Sequence, residues 1–296
     1  MHYSTVNQHF KKILSVLSIS FLTIGALHAQ DDLLDELDTT SESESFESPA
    51  FKAMRIANLQ STKIAAKGDL YLYVSHRFGT LQDGFDTFFG FDNANTRIQL
   101  AYSFWDGVQL SVSRESLRKT YAGSIKYRIA RQSKKFPLNV VGYSTITLNT
   151  EIDENTLPGL NASDKYSFAH QLLISKRFSN SFSFQIAPTY IRENLQDVRA
   201  TGAANHNQFA FGFGGRYKLS KRMSLNADYA YNFSRESNSI YTNPLTIGVD
   251  IETGGHVFQL LFSNAQATTV PGFMSNAEGD WSDGKIFFGF NIVRVF

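Results

Sequence analysis

The sequence of 296 residues contains no cysteine. This absence excludes disulfides, thiolate metal sites, cysteine nucleophiles and a lipid-modified N-terminal cysteine. No apolar stretch after Ala29 is long enough to form a transmembrane helix. The formal net charge is +1 with 19% charged residues, so the charge balance gives no indication of a nucleic-acid partner, and we predict none.

Histidine is scarce as well, and its spacing argues against an enzyme. Beyond residue 29 the histidines are His76, His170, His206 and His256. None belongs to a paired metal-ligand motif, and none has a serine two residues away on the same strand face. We therefore predict no catalytic residue, no metal, no cofactor and no enzymatic activity. An outer-membrane lipid enzyme is the least supported of the alternatives.

The N-terminus has the order of features that is typical of a secretory signal. Lys11 and Lys12 precede an apolar run over residues 13–27, and the small residue Ala29 ends it. The run covers about 15 residues, whereas a membrane-spanning helix needs roughly 20. We predict a signal peptide over residues 1–29, although Leu27 is an imperfect residue three positions before the cleavage site.

Two further segments precede the main body of the chain. Residues 30–50 are rich in Asp, Glu, Ser and Thr, and such a composition cannot bury enough apolar surface to fold, so we predict an acidic disordered tail. Residues 51–67 have mixed character without a clear period, and we treat them as a transitional segment.

From Gly68 onward a period of two indicates β-strands. Between Thr96 and Phe104, for example, apolar side chains alternate with polar or small ones. The pattern predicts an all-β fold over residues 68–296, a single antiparallel up-and-down transmembrane barrel of about twelve strands, with ten or fourteen also open. The predicted strands cover 68–78, 94–104, 107–114, 119–130, 137–148, 165–178, 181–191, 206–219, 223–234, 245–251, 256–263 and 284–296.

The connections and the last residue support a membrane barrel rather than a soluble sandwich. Short links such as 105–106 and 179–180 alternate with long ones such as 79–93 and 149–164, as in outer-membrane barrels with short periplasmic turns. Phe296 continues the apolar stripe of the last strand. The predicted location is the bacterial outer membrane, with its lipid as the first partner.

The motif His76-Arg77-Phe78-Gly79, followed by Phe88-Phe89-Gly90-Phe91-Asp92, resembles a known family. The stretches at Ser113-Arg114 and from Lys126 to Gln132 fit the same pattern. On these motifs the chain resembles the uncharacterised β-barrel family of Bacteroidetes called DUF5777, over roughly residues 51–296. The resemblance implies an outer-membrane-type barrel and implies no activity or catalytic residues.

Three sets of residues are candidates for a functional role. Polar residues on the inward face predict a lumen lining of Gln99, Ser111, Lys126, Gln185, Gln208, Asn226 and Asp228. At the outer rim we predict a loop clamp between Arg77 and Asp86 or Asp92. The short-turn end predicts a basic periplasmic rim of Arg128, Arg131, Arg177, Arg216 and Lys218.

Two functions remain open on this evidence. The first is a narrow pore or binding barrel for small polar or anionic solutes, since a lumen of twelve strands falls between a filled and an open barrel. The second is a non-conducting scaffold that docks a periplasmic protein through the basic turns or the acidic tail.

Overall fold

The chain forms twelve antiparallel strands that close into a barrel. The computed structural model describes residues 49–153, 155, 157–195 and 206–296. The predicted signal peptide, and the predicted tail except for residues 49 and 50, lie outside the described residues. The strands are β1 Leu70–Thr80, β2 Ala94–Trp105, β3 Val108–Glu115, β4 Thr120–Ala130, β5 Asn139–Leu148, β6 Tyr166–Arg177, β7 Phe182–Glu193, β8 Asn207–Lys218, β9 Met223–Asn232, β10 Leu245–Thr253, β11 His256–Ser263 and β12 Phe287–Val295.

Helical structure in the described residues is confined to short pieces. They are the α-helix α1 Val270–Ser275 and the 3-10 turns Gly84–Thr87, Leu117–Lys119 and Ala162–Lys165. None of these helices has the length and apolar character that crossing a membrane requires.

Closure of the barrel joins the first strand to the last. The register of β1 on β12 runs from Tyr71 opposite Val295 to Arg77 opposite Gly289. Beyond the last strand, the amide of Phe296 donates to the carbonyl of Leu70 at 2.9 Å. Strand pairing around the full circle satisfies the backbone groups that lipid could not hydrate. The prediction of a twelve-stranded up-and-down barrel is therefore confirmed.

The strands place polar side chains inside the barrel and apolar side chains on its outer face. In β9, Asn226 and Asp228 face inward and are buried, while Leu225 and Tyr229 face outward and are exposed. Alternation of this kind follows from the two-residue period of a strand whose outer face meets lipid. The aromatic exterior and the polar interior of the barrel are thus two faces of the same strands.

The two ends of the barrel differ in their connections. The links 106–107, 178–181, 219–222 and 254–255 lie at one end, together with the start of β1 and the end of β12. The strand ends that border the longer links, after β1, β5, β7, β9 and β11, lie at the other end. In outer-membrane barrels the short turns face the periplasm. We call the two ends the turn end and the loop end.

The apolar core lies inside the barrel and includes residues from outside the strands. Phe51, Ile56 and Leu59 of the N-terminal segment pack in one buried cluster with Phe273 of α1. Two glycines of β8 make room for them, because a Cβ on Gly214 would overlap the Ile56 side chain. The transitional segment of the sequence therefore lies within the lumen.

On the outer face, the ring of Tyr127 in β4 covers Gly142 in β5 so closely that a Cβ at position 142 would overlap it. We predict that Gly142→Ala lowers the free energy of unfolding by about 1 kcal/mol, at the low end of the cost of overpacking, because only the exposed ring has to move. Gly123→Ala is the matched control, since its Cβ would meet Ile146 at an ordinary 3.7 Å. Urea unfolding in lipid vesicles measures both, and equal losses would contradict this packing.

Candidate functional site

The lumen is occupied by residues 49–67, which we call the plug. Within it, residues 54–61 form a hairpin, in which Ser61 N donates to Met54 O at 3.0 Å and Ile56 N to Leu59 O at 2.8 Å. Every residue from 53 to 61 is buried. The hairpin tip points into the barrel, and the wall side chains bind it mainly through its main chain.

Asp228 on β9 holds the tip of the hairpin. Its Oδ2 accepts hydrogen bonds from the backbone amides of Ala57, Asn58 and Leu59 at 2.9, 2.8 and 2.9 Å. Three consecutive amides around one carboxylate oxygen form an anion-binding nest. Hydrogen bonds to an ionised group are about twice as strong as neutral ones, so Asp228 is the main anchor of the tip.

Lys126 on β4 binds the carbonyl groups of the hairpin. The ammonium donates to Met54 O at 2.8 Å and to Ser61 O at 2.9 Å, with Lys63 O farther away at 3.4 Å. An ammonium group has three hydrogen-bond donors, and when it is buried away from water these donors need acceptors from the protein. Asp228 and Lys126 thus hold the amides of the tip and the carbonyls of its two arms.

Neutral side chains of the wall complete this main-chain recognition. Gln185 donates to Gln60 O at 2.7 Å and accepts from Thr62 N at 3.0 Å. Gln259 donates to Ile56 O at 2.9 Å. Many of the bonds that hold the plug are therefore made to its peptide units, and the side chains of Arg55 and Asn58 add further ones.

Arg77 belongs to the same lumen network. Its guanidinium is fully buried and donates to Asn58 Oδ1 at 2.7 Å and to Asn291 Oδ1 at 3.1 Å. The predicted clamp with Asp86 or Asp92 is wrong, because both carboxylates are exposed in a loop that packs on the outside of the barrel. Residue parity directs Arg77 inward, away from that loop.

A second segment occupies part of the lumen at the loop end. Residues 264–279, which we call the insert, carry α1 into the barrel mouth, and most of them are buried. Glu115 accepts from the amide and the hydroxyl of Thr268 at 2.7 and 2.9 Å, and Arg97 donates to the carbonyl of Thr268 at 3.0 Å. As in the plug, charged side chains of the wall bind main-chain groups, here the amide and the carbonyl of Thr268.

The C-terminal carbonyls of α1 are bound by a cation from the neighbouring loop. Arg235 donates to Met274 O at 2.9 Å and to Ser275 O at 3.0 Å. Burial lowers the pKa of Arg235 to about 10, so its guanidinium stays protonated at neutral pH. Positive charge at a helix C-terminus is favourable, and this contact fixes the insert.

The seven predicted lumen residues all lie on the inner face and are buried: Gln99, Ser111, Lys126, Gln185, Gln208, Asn226 and Asp228. Gln99 accepts from Arg55 of the plug at 3.3 Å and donates to Ser111 at 3.0 Å. Gln208 donates to Glu193 at 2.8 Å, which in turn accepts from Asn276 of the insert. Their role in passage of a solute stays a prediction.

The residues of the predicted basic rim lie at the turn end: Arg128, Arg131, Arg177, Arg216 and Lys218. Acidic partners reduce its positive charge. Arg128 pairs with Asp106 at 2.7 Å, and Arg216 pairs with Glu252 at 2.8 Å. Glu252 also contacts Lys52 of the plug at 3.4 Å, which brings the start of the plug to this rim.

A cavity of about 470 Å³ lies at the loop end, between the insert and the barrel wall. The insert lines one side of it, and the loop ends of β3 to β7 line the other. Glu115 and Glu193, the two carboxylates that hold the insert, both border the cavity. In the described part of the chain, no group of three or more acidic or histidine side chains is arranged to hold a metal ion.

A closed antiparallel barrel with an aromatic exterior and a polar interior is a transmembrane β-barrel of the bacterial outer membrane. Comparison with known families agrees. The chain belongs to the DUF5777 family, described as a membrane bound beta barrel domain, whose model matches residues 51–296. No curated protein matches this chain in sequence.

Solved structures with a similar fold include porins and channels. The NanC porin superposes with a TM-score of 0.50 at 10% identity, covering 76% of this chain and 98% of that one. The KdgM porin gives 0.45 at 8% identity, covering 77% and 99%. The COG4313 outer membrane channel from Pseudomonas putida F1 gives 0.47 at 11%, covering 79% and 97%. At such identities the likeness concerns the fold alone.

We predict that Asp228→Ala loosens the plug, because three amides lose their acceptor at once. Hydrogen bonds to charged groups contribute about 1.5–3 kcal/mol. The amides of residues 57–59 should therefore exchange with deuterium about tenfold faster or more. Mass spectrometry of the folded barrel in vesicles measures this exchange.

Glu115→Ala is the matched control, since it removes a buried carboxylate that accepts from Thr268 of the insert instead. It should accelerate exchange at Thr268 and leave residues 57–59 slow. A uniform acceleration in both variants would mean that the carboxylates stabilise the barrel as a whole and not their separate segments.

Proposed function

We propose that this protein is an outer-membrane channel for small polar solutes and that its plug keeps the channel closed. The observation that carries the proposal is the bonding of the lumen charges. Arg77, Lys126 and Asp228 on the wall are bonded to the plug, and Arg97, Glu115 and Glu193 to the insert. The wall side chains alone do not fill the lumen.

The dimensions of the barrel support this proposal. Eight strands leave an interior just filled by side chains, whereas sixteen or more leave an aqueous channel. Here twelve strands enclose a whole peptide hairpin, and Ala187, Ala210, Gly212 and Gly214 keep the inner face of β7 and β8 small beside it. Without the hairpin, water would fill a passage lined by side chains that hydrate readily.

The path of the plug supports opening from the periplasmic side. At its start Lys52 contacts Glu252 near the turn end, and just after it Gly68 N donates to Ser103 O, again near that end. Both arms of the hairpin therefore enter through the same mouth. Withdrawal toward the periplasm needs no threading of the chain through the barrel.

The charge of the lumen wall bears on the solute. The buried charged residues of the strands are four basic and four acidic ones: Arg77, Arg97, Lys126, Arg216, Glu115, Glu193, Asp228 and Asp250. A balanced wall gives a strongly anionic solute no net attraction. We therefore favour neutral or zwitterionic polar solutes over anionic ones.

The alternative is a non-conducting scaffold, which is favoured by the presence of two separate segments, the plug and the insert, inside the lumen. In that case the basic rim, or the acidic tail predicted over residues 30–50, would dock a periplasmic protein. This rim also contains Arg131, Arg177 and Lys218, together with the two arginines that pair with Asp106 and Glu252. This function requires no movement of the plug.

A cross-link between the plug and the wall tests the channel. Thr62 Oγ1 lies 2.6 Å from Ser175 Oγ, so cysteines at these positions place their sulfurs within bonding reach. We predict that the oxidised Thr62→Cys/Ser175→Cys variant shows no opening in planar bilayers. Reduction should restore the opening frequency of the single variants, which serve as controls because the chain has no cysteine of its own.

Deletion of residues 50–66, which removes most of the plug, is the second test of the channel. We predict steady conductance, because a hydrated lumen replaces the bonds of the plug to Asp228 and Lys126. Retention of the heat-dependent gel mobility of the barrel confirms that the variant is folded. A folded deletion variant without current contradicts the channel and leaves the scaffold.

A further inference from the structure

The loop between β1 and β2, residues 81–93, carries a group of exposed phenylalanines that the plugged lumen does not use. The exposed fractions are 82% for Phe85, 62% for Phe88, 39% for Phe89 and 49% for Phe91. Contiguous apolar patches of this kind mark contact with another molecule or with a membrane. The loop also contains the second half of the motif by which the sequence resembles its family.

The loop lies on the outer side of the barrel wall. The ring of Phe91 is 4.4 Å from that of Phe78, an outward residue of β1. Phe78 in turn stacks on Phe288 of β12 at 5.6 Å, and Phe288 lies 5.3 Å from Phe262 of β11. These strand residues face the lipid. The phenyl rings of the loop therefore extend a lipid-facing aromatic surface beyond the ends of the strands.

Two glycines of the family motif fix the loop in this position. Gly79 N donates to Gly90 O at 2.7 Å, and the backbones approach so closely that a Cβ on Gly90 would overlap the Gly79 carbonyl. Gly90 also has a φ of +83°, which glycine adopts most easily. The approach of the two backbones holds the end of the loop at the outer side of β1, where Phe91 contacts Phe78.

The backbone at the tip of the loop adopts a conformation that is unfavourable for residues other than glycine. Phe88 and Phe89 have φ values of 47° and 55°, in the left-handed region that L-residues disfavour. The Phe89 amide donates to Gly84 O, and the Gly90 amide to Thr87 Oγ1 at 3.0 Å. Strain of this kind persists where the surroundings enforce it and is associated with function.

We propose that residues 81–93 form an interfacial anchor whose phenyl rings insert into the lipid leaflet at the loop end. The rings of the loop are continuous with the lipid-facing rings of Phe78 and Phe288. We therefore infer that they contact lipid, and not a second copy of this chain or a soluble protein. Asp83, Asp86 and Asp92 are exposed in the same loop and limit insertion to the interfacial region. The anchor is independent of the channel and of its plug.

Spin labelling of the full-length protein tests the anchor, because any introduced cysteine is unique. Phe85→Cys is labelled with a nitroxide and reconstituted into phosphatidylcholine–phosphatidylglycerol vesicles. Phe288→Cys is the lipid-facing control, and Leu157→Cys, in the exposed β5–β6 link, is the aqueous control. The readout is the ratio of nitroxide collisions with oxygen, which partitions into lipid, to those with a water-soluble nickel complex.

The anchor predicts a ratio at position 85 close to that at position 288 and several-fold above that at position 157. Phe88→Ser and Phe89→Ser added to Phe85→Cys should lower it toward the aqueous control. A ratio equal to that at position 157 overturns the proposal. Dipolar broadening between labels that disappears on dilution into more lipid overturns it in favour of a second copy.

Discussion

A charged side chain inside a closed barrel has to be hydrated or bonded, and this constraint organises the structure. An unpaired buried charge costs many kcal/mol, so the lumen cannot be both dry and unfilled. Here the wall carries four basic and four acidic buried residues, and most of their partners belong to the plug and the insert. The segments inside the barrel are therefore required by the charge pattern of the strands that surround them.

The plug and the insert meet at one carbonyl group. Arg55 of the plug and Arg97 of the wall both donate to Thr268 O of the insert, each at 3.0 Å. Departure of the plug would remove one of the two cations from this oxygen and leave Arg97 and Glu115 in place. The insert would then lose its contact with the plug but keep its own bonds to the wall. The shared carbonyl of Thr268 therefore couples the plug to the insert, although neither segment depends on the other for all of its bonds.

The strands could be predicted from the sequence because their period of two is a direct consequence of lipid on one face and polar groups on the other. The same parity placed Lys126 and Asp228 on the inner face. It could not identify the plug, because residues 51–67 show no clear period and many of their bonds to the wall are made by main-chain groups that every sequence possesses. The only signal was indirect: an ammonium and a carboxylate on opposite parts of a lumen wall need partners.

The error at Arg77 has a different cause. The predicted clamp required the loop that carries Asp86 and Asp92 to fold over the mouth onto an inward Arg77. Instead, Phe91 of this loop contacts Phe78 on the outer face of β1, and both carboxylates are exposed. Arg77 does face inward, but it is bonded there to Asn58 of the plug.

Recognition through the main chain also determines how firmly the lumen is closed. Each bond from Asp228 or Lys126 to the plug replaces a bond to water that the same group would make in a hydrated lumen, so the net gain is a small part of the gross energy. Burial of Phe51, Ile56 and Leu59 adds an apolar contribution to closure. The conformational entropy lost in ordering residues 49–67 opposes it. Closure is therefore a balance of opposing terms, and the plug can leave without any movement of the strands, because its bonds to the wall are made by side chains.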